Sequence, residues 1–271
     1  MASPLRLGIG GLGAIGLAVA SRIDNGDVPG IALTAVSARD PEKAHAKIAR
    51  LRNKPQLVPL NGLADHADVI LESVPARHFC DIAEPAIAKG RIFMPLSVGQ
   101  LLTNMHLVEK AKETGARILV PTGALLGLDA VRAVSEGNVE RVRIISRKPP
   151  RGLAGAPHLM QNGISVDGLT SPLKVFAGTA RQAIIGFPAN VNVAVALSLA
   201  GIGPDRTTIE IWADPGVDRN THTIEVRSDS SDLSMTIANI PTDENPATGK
   251  ITALSALAAL RRLTAPLVIG T

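Results

Sequence analysis

The 271-residue chain is 45% hydrophobic and 19% charged, a globular composition with enough length for one large or two modest cores, and it argues against a disordered segment. Aromatic residues are scarce, with four Phe, one Trp and no Tyr, so the core must be aliphatic and stacking platforms for RNA or single-stranded DNA are not expected. The formal charge of +4 is spread without a dense Lys/Arg run, which suits anionic small molecules better than a nucleic-acid backbone.

Cys80 is the single cysteine, so no internal disulfide can form, and a reducing, cytoplasmic setting is expected. The start, MASPLRLGIG, lacks a basic stretch followed by a long apolar one, so no signal peptide is read. No apolar run reaches the ~18 residues of a membrane span.

In chain order, LRLGIG (5–10) reads as a strand, AIGLAVASRI (14–23) as a helix and GIALTAVS (30–37) as a second strand. DPEKAHAKIARL (40–51) reads as a helix with Asp40 as N-cap, Pro41 at the first helical position and Glu42 in the first turn. QLVPL (56–60), ADVILESV (67–74), RIFMPLS (91–97) and ARILVP (116–121) are further strands. Helices fill the gaps at ARHFCDIAEPAIAKG, where Pro85 predicts a kink or break, and at LLTNMHLVEKAKET. Beyond residue 121 the rhythm changes. GLDAVRAVSEG is helical, VERVRIIS (139–146) is a strand, and a Gly/Pro-rich segment runs from Pro149 to about Ser171. TTIEIWAD (207–214), HTIEVRS (222–228) and LSMTIAN (233–239) read as neighbouring antiparallel strands before a last helix over 246–263.

This pattern predicts an α/β protein: a Rossmann domain with a doubly wound parallel sheet over 1–121 and an α+β substrate domain over 122–245. The segment 246–271, with its helix, is expected to pack back on the first domain.

LGIGGLGAIG holds two overlapping G-x-G-x-x-G registers. The register Gly11, Gly13, Gly16 leaves a full strand before it and a helix directly after it, so it is preferred over Gly8, Gly10, Gly13. Its backbone, with Ala14 and Ile15, can meet a pyrophosphate at the helix N-terminus. An acid about 20 residues on would hold the ribose 2′-OH of NAD. Ser37, Ala38 and Arg39 stand there instead, and Asp40 is taken by its capping role. Ser37 and Arg39 suit a 2′-phosphate, so NADP is expected to be accepted alongside NAD, although Arg39 also fits a solvated loop.

Four later segments combine polar or small residues with unusual backbone demands: PTGALLGLDA (121–130), SRKPP (146–150), FPANVNVAVALSLAG (187–201) and ADPGVDRNTHTIEV (213–226). His222 shares strand parity with Ile224 and Val226, placing an imidazole on an apolar face. A core histidine bonded to a carbonyl would satisfy the same pattern. Asn190 also fits an N-cap, Asn220 a turn, and Arg147 and Lys148 a solvated strand end. Neither H-x-x-x-H nor C-x-x-C occurs, so no metal is expected, and without G-x-S-x-G no serine nucleophile is read. Cys80 reads as a packed thiol.

Together with the glycine loop and LSVGQL, the segments PTGALLGLDA, RKPP, FPANVNVAVALSLAGIG, DPGVDRNTHTIEV and NIPTDENPATGKITALSALAAL resemble the L-aspartate dehydrogenase family over nearly the whole chain. Departures are small: Gln100 where alanine is expected, Thr122 for serine and Gln182 for glutamate. The resemblance implies a homodimer that oxidises L-aspartate to iminosuccinate with NAD or NADP, water then giving oxaloacetate and ammonia, in some bacteria in support of pyridine nucleotide biosynthesis. It implies that His222 is catalytic and that Ala124 and an asparagine, Asn190 in preference to Asn192, meet the nicotinamide end. From charge alone, Arg147, Lys148 and Arg219, with Asn220 beside them, are candidates for the substrate carboxylates. A half-buried imidazole titrating near neutrality would suit the proton transfers. Two other readings stay open: an imine reductase resembling dihydrodipicolinate reductase, and a non-catalytic NADP-binding sensor.

Overall fold

A computed structural model describes residues 3–188, 191–244 and 248–270. The chain divides into two compact units, the first running to Pro121 and resuming over Thr252–Val268, the second spanning Thr122–Ile251 with the extreme C-terminus.

The first unit contains β1 (Leu5–Gly10), α1 (Ala14–Asp24), β2 (Ile31–Ser37), α2 (Pro41–Ile48), β3 (Gln56–Leu57), α3 (Leu63–His66), β4 (Val69–Glu72), α4 (Phe79–Ala88), β5 (Ile92–Pro95), α5 (Val98–Thr103), α6 (His106–Thr114) and β6 (Arg117–Ile118). The strands pair in the order β3-β2-β1-β4-β5-β6, all parallel, the doubly wound arrangement the sequence predicts. A strand inside such a sheet has no solvent face, and β4 is accordingly buried at all four positions. Asp40 caps α2 by accepting from Lys43 N at 3.1 Å, with Pro41 behind it. α6 stops at Gly115, whose φ of +74° is open to glycine at little cost.

The second unit contains α7 (Leu128–Val134), β7 (Val139–Lys148), α8 (Pro157–Gln161), β8 (Leu173–Thr179), α9 (Ala180–Gly186), α10 (Asn192–Ala200), β9 (Thr207–Ala213), β10 (Thr221–Ser228) and β11 (Asp232–Ala238). Its sheet order is β11-β10-β7-β9-β8, with β7 and β9 parallel and the other pairs antiparallel. Val142, Ile144, Ile209, Ile211, Ile224 and Val226 line the buried face, and the apolar side of α10 supplies Ala194, Val195 and Leu197. The last helix, α11 (Ile251–Thr264), sends Ala256, Leu257 and Leu260 into the core of the first unit. Among the described residues, no helix is long and apolar enough to cross a membrane.

Several sequence expectations need correction. The helix expected over LLTNMHLVEKAKET is two helices, α5 and α6. Asn104 breaks it by turning its side-chain amide onto Gln100 O at 2.8 Å, in competition with the backbone pattern. α4 continues through Pro85, held by buried Phe79, Ile82, Ala83, Ala86 and Ile87. β9 and β10 are not neighbours, because β7 lies between them. The Gly/Pro-rich stretch contains α8, and β8 and α9 follow it unpredicted. α9 begins with a complete capping box, Thr179 and Gln182. The last helix begins at Ile251 rather than at 246.

Candidate active site

At the C-terminal end of the parallel sheet, the glycine loop takes the register Gly11, Gly13, Gly16. Gly11 adopts φ +92°, and a Cβ there would lie 2.6 Å from Ser73 O, so glycine is required twice over. A Cβ on Gly16 would overlap Gly11 O, which lets the first turn of α1 close onto the loop. Gly13 is exposed, and a Cβ built on it meets nothing within 4 Å. It is also the N-cap of α1 and brings no capping side chain, and the first turn holds no acid. The N–H groups of Ala14, Ile15 and Gly16 therefore begin a helix whose positive end is left for an anion. A dinucleotide pyrophosphate fits this cradle by shape and charge.

Two residues that the sequence reading passed over hold the loop. Ser73 Oγ donates to Gly10 O at 2.8 Å and Gly11 O at 3.0 Å. Glu72 is fully buried at the end of β4, and its carboxylate accepts from Val74 N (2.9 Å), Ser97 N (2.9 Å) and Ser97 Oγ (3.0 Å). It ties the turns after β4 and β5 to each other, and burial pushes its pKa above the usual carboxylate range. An acid closing the apolar run VILE (69–72) was the signal for it.

Gly11 N donates to Ser37 O at 2.8 Å, which fixes the tip of β2 beside the loop. Ser37 is buried and Arg39 is exposed two residues later. Asp40 Oδ1 is committed to Lys43 N.

In the second unit, β10 is antiparallel to β7, with His222 opposite Ser146 and Thr221 opposite Arg147. Lys148 follows Ser146 by two residues, so Lys148, Ser146 and His222 share one face while Arg147 points to the other. The two cations of SRKPP are thereby separated. Arg147 pairs with Asp214 at 2.8 Å and stacks over Trp212 at 4.9 Å, whereas Lys148 is 4% exposed on the His222 side. Arg219 is held by its neighbour Asp218 at 2.6 Å, and Asn220, half-buried, precedes β10.

His222 Nδ1 and Ser146 Oγ are 2.9 Å apart, a hydrogen bond that orients the ring and leaves Nε2 without a partner among the described residues. The imidazole is 2% exposed, far beyond the half-burial expected from sequence. Burial, with a smaller contribution from the charge of Lys148, pushes its pKa from 6.5 to about 3, so the ring is neutral at pH 7 instead of titrating there. Burial alone pushes Lys148 down to about 8.

One further row completes this face. Asn239, just beyond β11, donates N–H to Asn220 O at 2.8 Å and Nδ2–H to Ala124 O at 2.9 Å. It pins the PTGALLG loop, whose Gly127 takes φ +65° and where a Cβ would displace the end of the Met235 side chain. Asn239 Oδ1 is buried with no partner among the described residues, an acceptor left over beside Ala124 and a fit for an amide N–H such as that of nicotinamide. Asn192 opens α10 and is half-buried. Asn190 lies outside the described residues.

Residues 11–121 match the family model for the NAD binding domain of homoserine dehydrogenase, and residues 129–263 match the model for the C-terminal domain of aspartate dehydrogenase. An L-aspartate dehydrogenase of Bradyrhizobium diazoefficiens is 52% identical over 99% of this chain and 95% of its own length. L-aspartate dehydrogenase 3 of Bordetella bronchiseptica is 54% identical over 98% of each chain. Among solved structures, the aspartate dehydrogenase of Thermotoga maritima superposes with a TM-score of 0.73 at 23% identity, covering 98% of this chain and 99% of that one, a likeness of fold. With both of its units matched and its relatives aligned almost end to end, the chain belongs to the L-aspartate dehydrogenase family.

Proposed function

We infer that the protein is an NAD(P)-dependent dehydrogenase that oxidises L-aspartate to iminosuccinate, which water converts to oxaloacetate and ammonia, reversibly. The observation that most supports this reading is the buried polar face of the second sheet. His222, Ser146 and Lys148 lie together in an otherwise aliphatic core, a cost that folding alone does not explain.

In this reading Gly11, Gly13, Ala14, Ile15 and Gly16 hold the pyrophosphate, and Ala124 with Asn190 or Asn192 meets the nicotinamide end. The bound nicotinamide supplies the hydride acceptor for the substrate Cα–H bond. Ser146 fixes the His222 ring so that Nε2 addresses the reacting carbon and nitrogen as a neutral hydrogen-bonding group. Lys148, Arg219 and Asn220 are the candidates for the substrate carboxylates, Arg219 by exchanging its exposed partner Asp218 for substrate, whereas Arg147 is set against Asp214 on the opposite face. The reading extends to a cytoplasmic homodimer.

The test is absorbance at the reduced-nicotinamide band with L-aspartate and either oxidised cofactor, and in reverse with oxaloacetate and ammonia. Turnover on L-aspartate is expected, as is a large loss of kcat in His222→Ala with little change in cofactor affinity. Cofactor binding without turnover on any dicarboxylate would overturn the reading. Arg39→Ala is expected to raise the KM for NADP and leave that for NAD unchanged.

A further inference from the structure

A buried acceptor with nothing to accept is costly, and Asn239 carries one. The residue is 5% exposed, and its Oδ1 has no partner among the described residues. The rest of it is engaged. The backbone N–H donates to Asn220 O at 2.8 Å, and Nδ2–H donates to Ala124 O at 2.9 Å. The second bond also decides which end of the side-chain amide is which. A backbone carbonyl only accepts, so the end that faces Ala124 O is the NH2 and the unsatisfied end is the oxygen.

We propose that Asn239 Oδ1 accepts an N–H of the nicotinamide carboxamide, and so joins Ala124 in holding the reactive end of the cofactor. This rests on the reading that brings the nicotinamide end to Ala124.

The sheet supports the assignment. Ile237 stands opposite His222 across β11 and β10, and Asn239 follows it by two residues, continuing the pairing through its N–H to Asn220 O. Asn239 therefore lies on the face that carries His222 and Ser146. One strand across and two residues along place its backbone about 8 Å from that of His222 at ordinary strand spacings. In nicotinamide the carbon that receives the hydride is bonded directly to the carbon that bears the carboxamide. A ring held at Asn239 can thus turn its reacting carbon toward the histidine, with the substrate between them.

The neighbouring hairpin offers Oδ1 nothing. Lys250 N donates to Ile240 O at 2.8 Å and Thr242 N to Thr248 O at 2.7 Å, which brings Gly249 against Asn239. A Cβ on Gly249 would lie 3.3 Å from Asn239 Cβ and 3.4 Å from Oδ1, so the residue on that flank has no side chain with which to donate. The missing donor must arrive with a ligand. A carboxamide is the complement of an asparagine amide, a planar N–H beside a carbonyl. Holding it also fixes the rotation of the ring, and with it the face shown to the substrate. The substrate ammonium is the other N–H the reaction brings, and the experiment separates the two.

The experiment compares NAD with acetylpyridine adenine dinucleotide, in which a methyl group replaces the carboxamide NH2. Calorimetric titration without substrate gives both affinities for the wild-type protein, Asn239→Leu and Asn239→Asp. Wild type is expected to prefer NAD by about tenfold or more, because the acetyl analogue leaves Oδ1 unpaired. In Asn239→Leu the preference disappears. The comparison is made within one protein, so a smaller folded fraction in that variant affects both ligands alike. Asn239→Asp keeps an acceptor and loses the donor to Ala124 O, so it retains the preference while its Tm falls. Equal wild-type affinity for the two dinucleotides, or a preference that survives in Asn239→Leu, would overturn the proposal. A surviving preference with a raised KM for L-aspartate would in addition assign Oδ1 to the substrate ammonium. Ala124→Leu tests the reading beneath: affinity for NAD falls, and affinity for ADP-ribose, which lacks nicotinamide, holds. Equal effects on both ligands would instead overturn the placement of the nicotinamide end at Ala124.

Discussion

The burial of His222 predicts a pH dependence of stability with a definite sign and size. The fold holds the imidazole neutral, with a pKa of about 3 against an ordinary value of 6.5. Above pH 6.5 neither the folded nor the unfolded chain protonates this ring, and its contribution to stability is complete. Between 6.5 and about 3 the unfolded chain takes up a proton that the folded one refuses, so stability falls as pH falls. The slope is about 1.4 kcal/mol per pH unit, so the loss reaches about 3 kcal/mol by about pH 4.5 and about 5 kcal/mol over the whole window. The perturbation is acid, and the control is His222→Gln, whose stability curve subtracts the other titrating groups. Urea unfolding followed by circular dichroism at a series of pH values gives the difference. Proton NMR gives a second reading, because the His222 ring, assigned by its loss in His222→Gln, should stay untitrated down to pH 5. A difference curve flat between pH 6.5 and 4.5, or a His222 resonance with a midpoint above 5, would refute the reasoning.

Glu72→Gln should cost about 1–3 kcal/mol, because both carboxylate oxygens accept N–H donors and an amide can satisfy only one side; a thermal melt checks this, and an unchanged Tm would count against it. Gly16→Ala should weaken cofactor binding about tenfold or more, equivalent to about 1.4 kcal/mol, as the new methyl displaces Gly11 O; calorimetric titration with NADPH measures it. Ser146→Ala leaves His222 Nδ1 buried without its partner. It should lower stability by about 1–3 kcal/mol and reduce kcat while the cofactor Kd holds.

What the sequence made legible was local. The glycine register, the Asp40–Pro41 helix start and the buried parity of His222 each depend on a few adjacent residues, and each is present as read. The insertion of β7 between β9 and β10 was not legible, since strand order is decided by pairings far apart in the chain. The split at Asn104 was hidden by good helix formers on either side. Arg147 and Lys148 were read as one cationic pair, although strand alternation alone would have set them on opposite faces. The depth of His222 could not be anticipated, because two flanking apolar residues mark a face but not what covers it.

Trp212 has a consequence for how the molecule can be observed. It is the only tryptophan, and the chain has no tyrosine, so near-ultraviolet emission arises from one indole on β9. That indole donates to Glu210 at 3.0 Å and lies beneath the cations of Arg147 and Lys174. Fluorescence is therefore a private channel to the second unit and to the Arg147–Asp214 pair at the mouth of the DPG turn. The first unit is optically silent in that channel. Emission and circular dichroism recorded together would separate the unfolding of one unit from that of the other without a label.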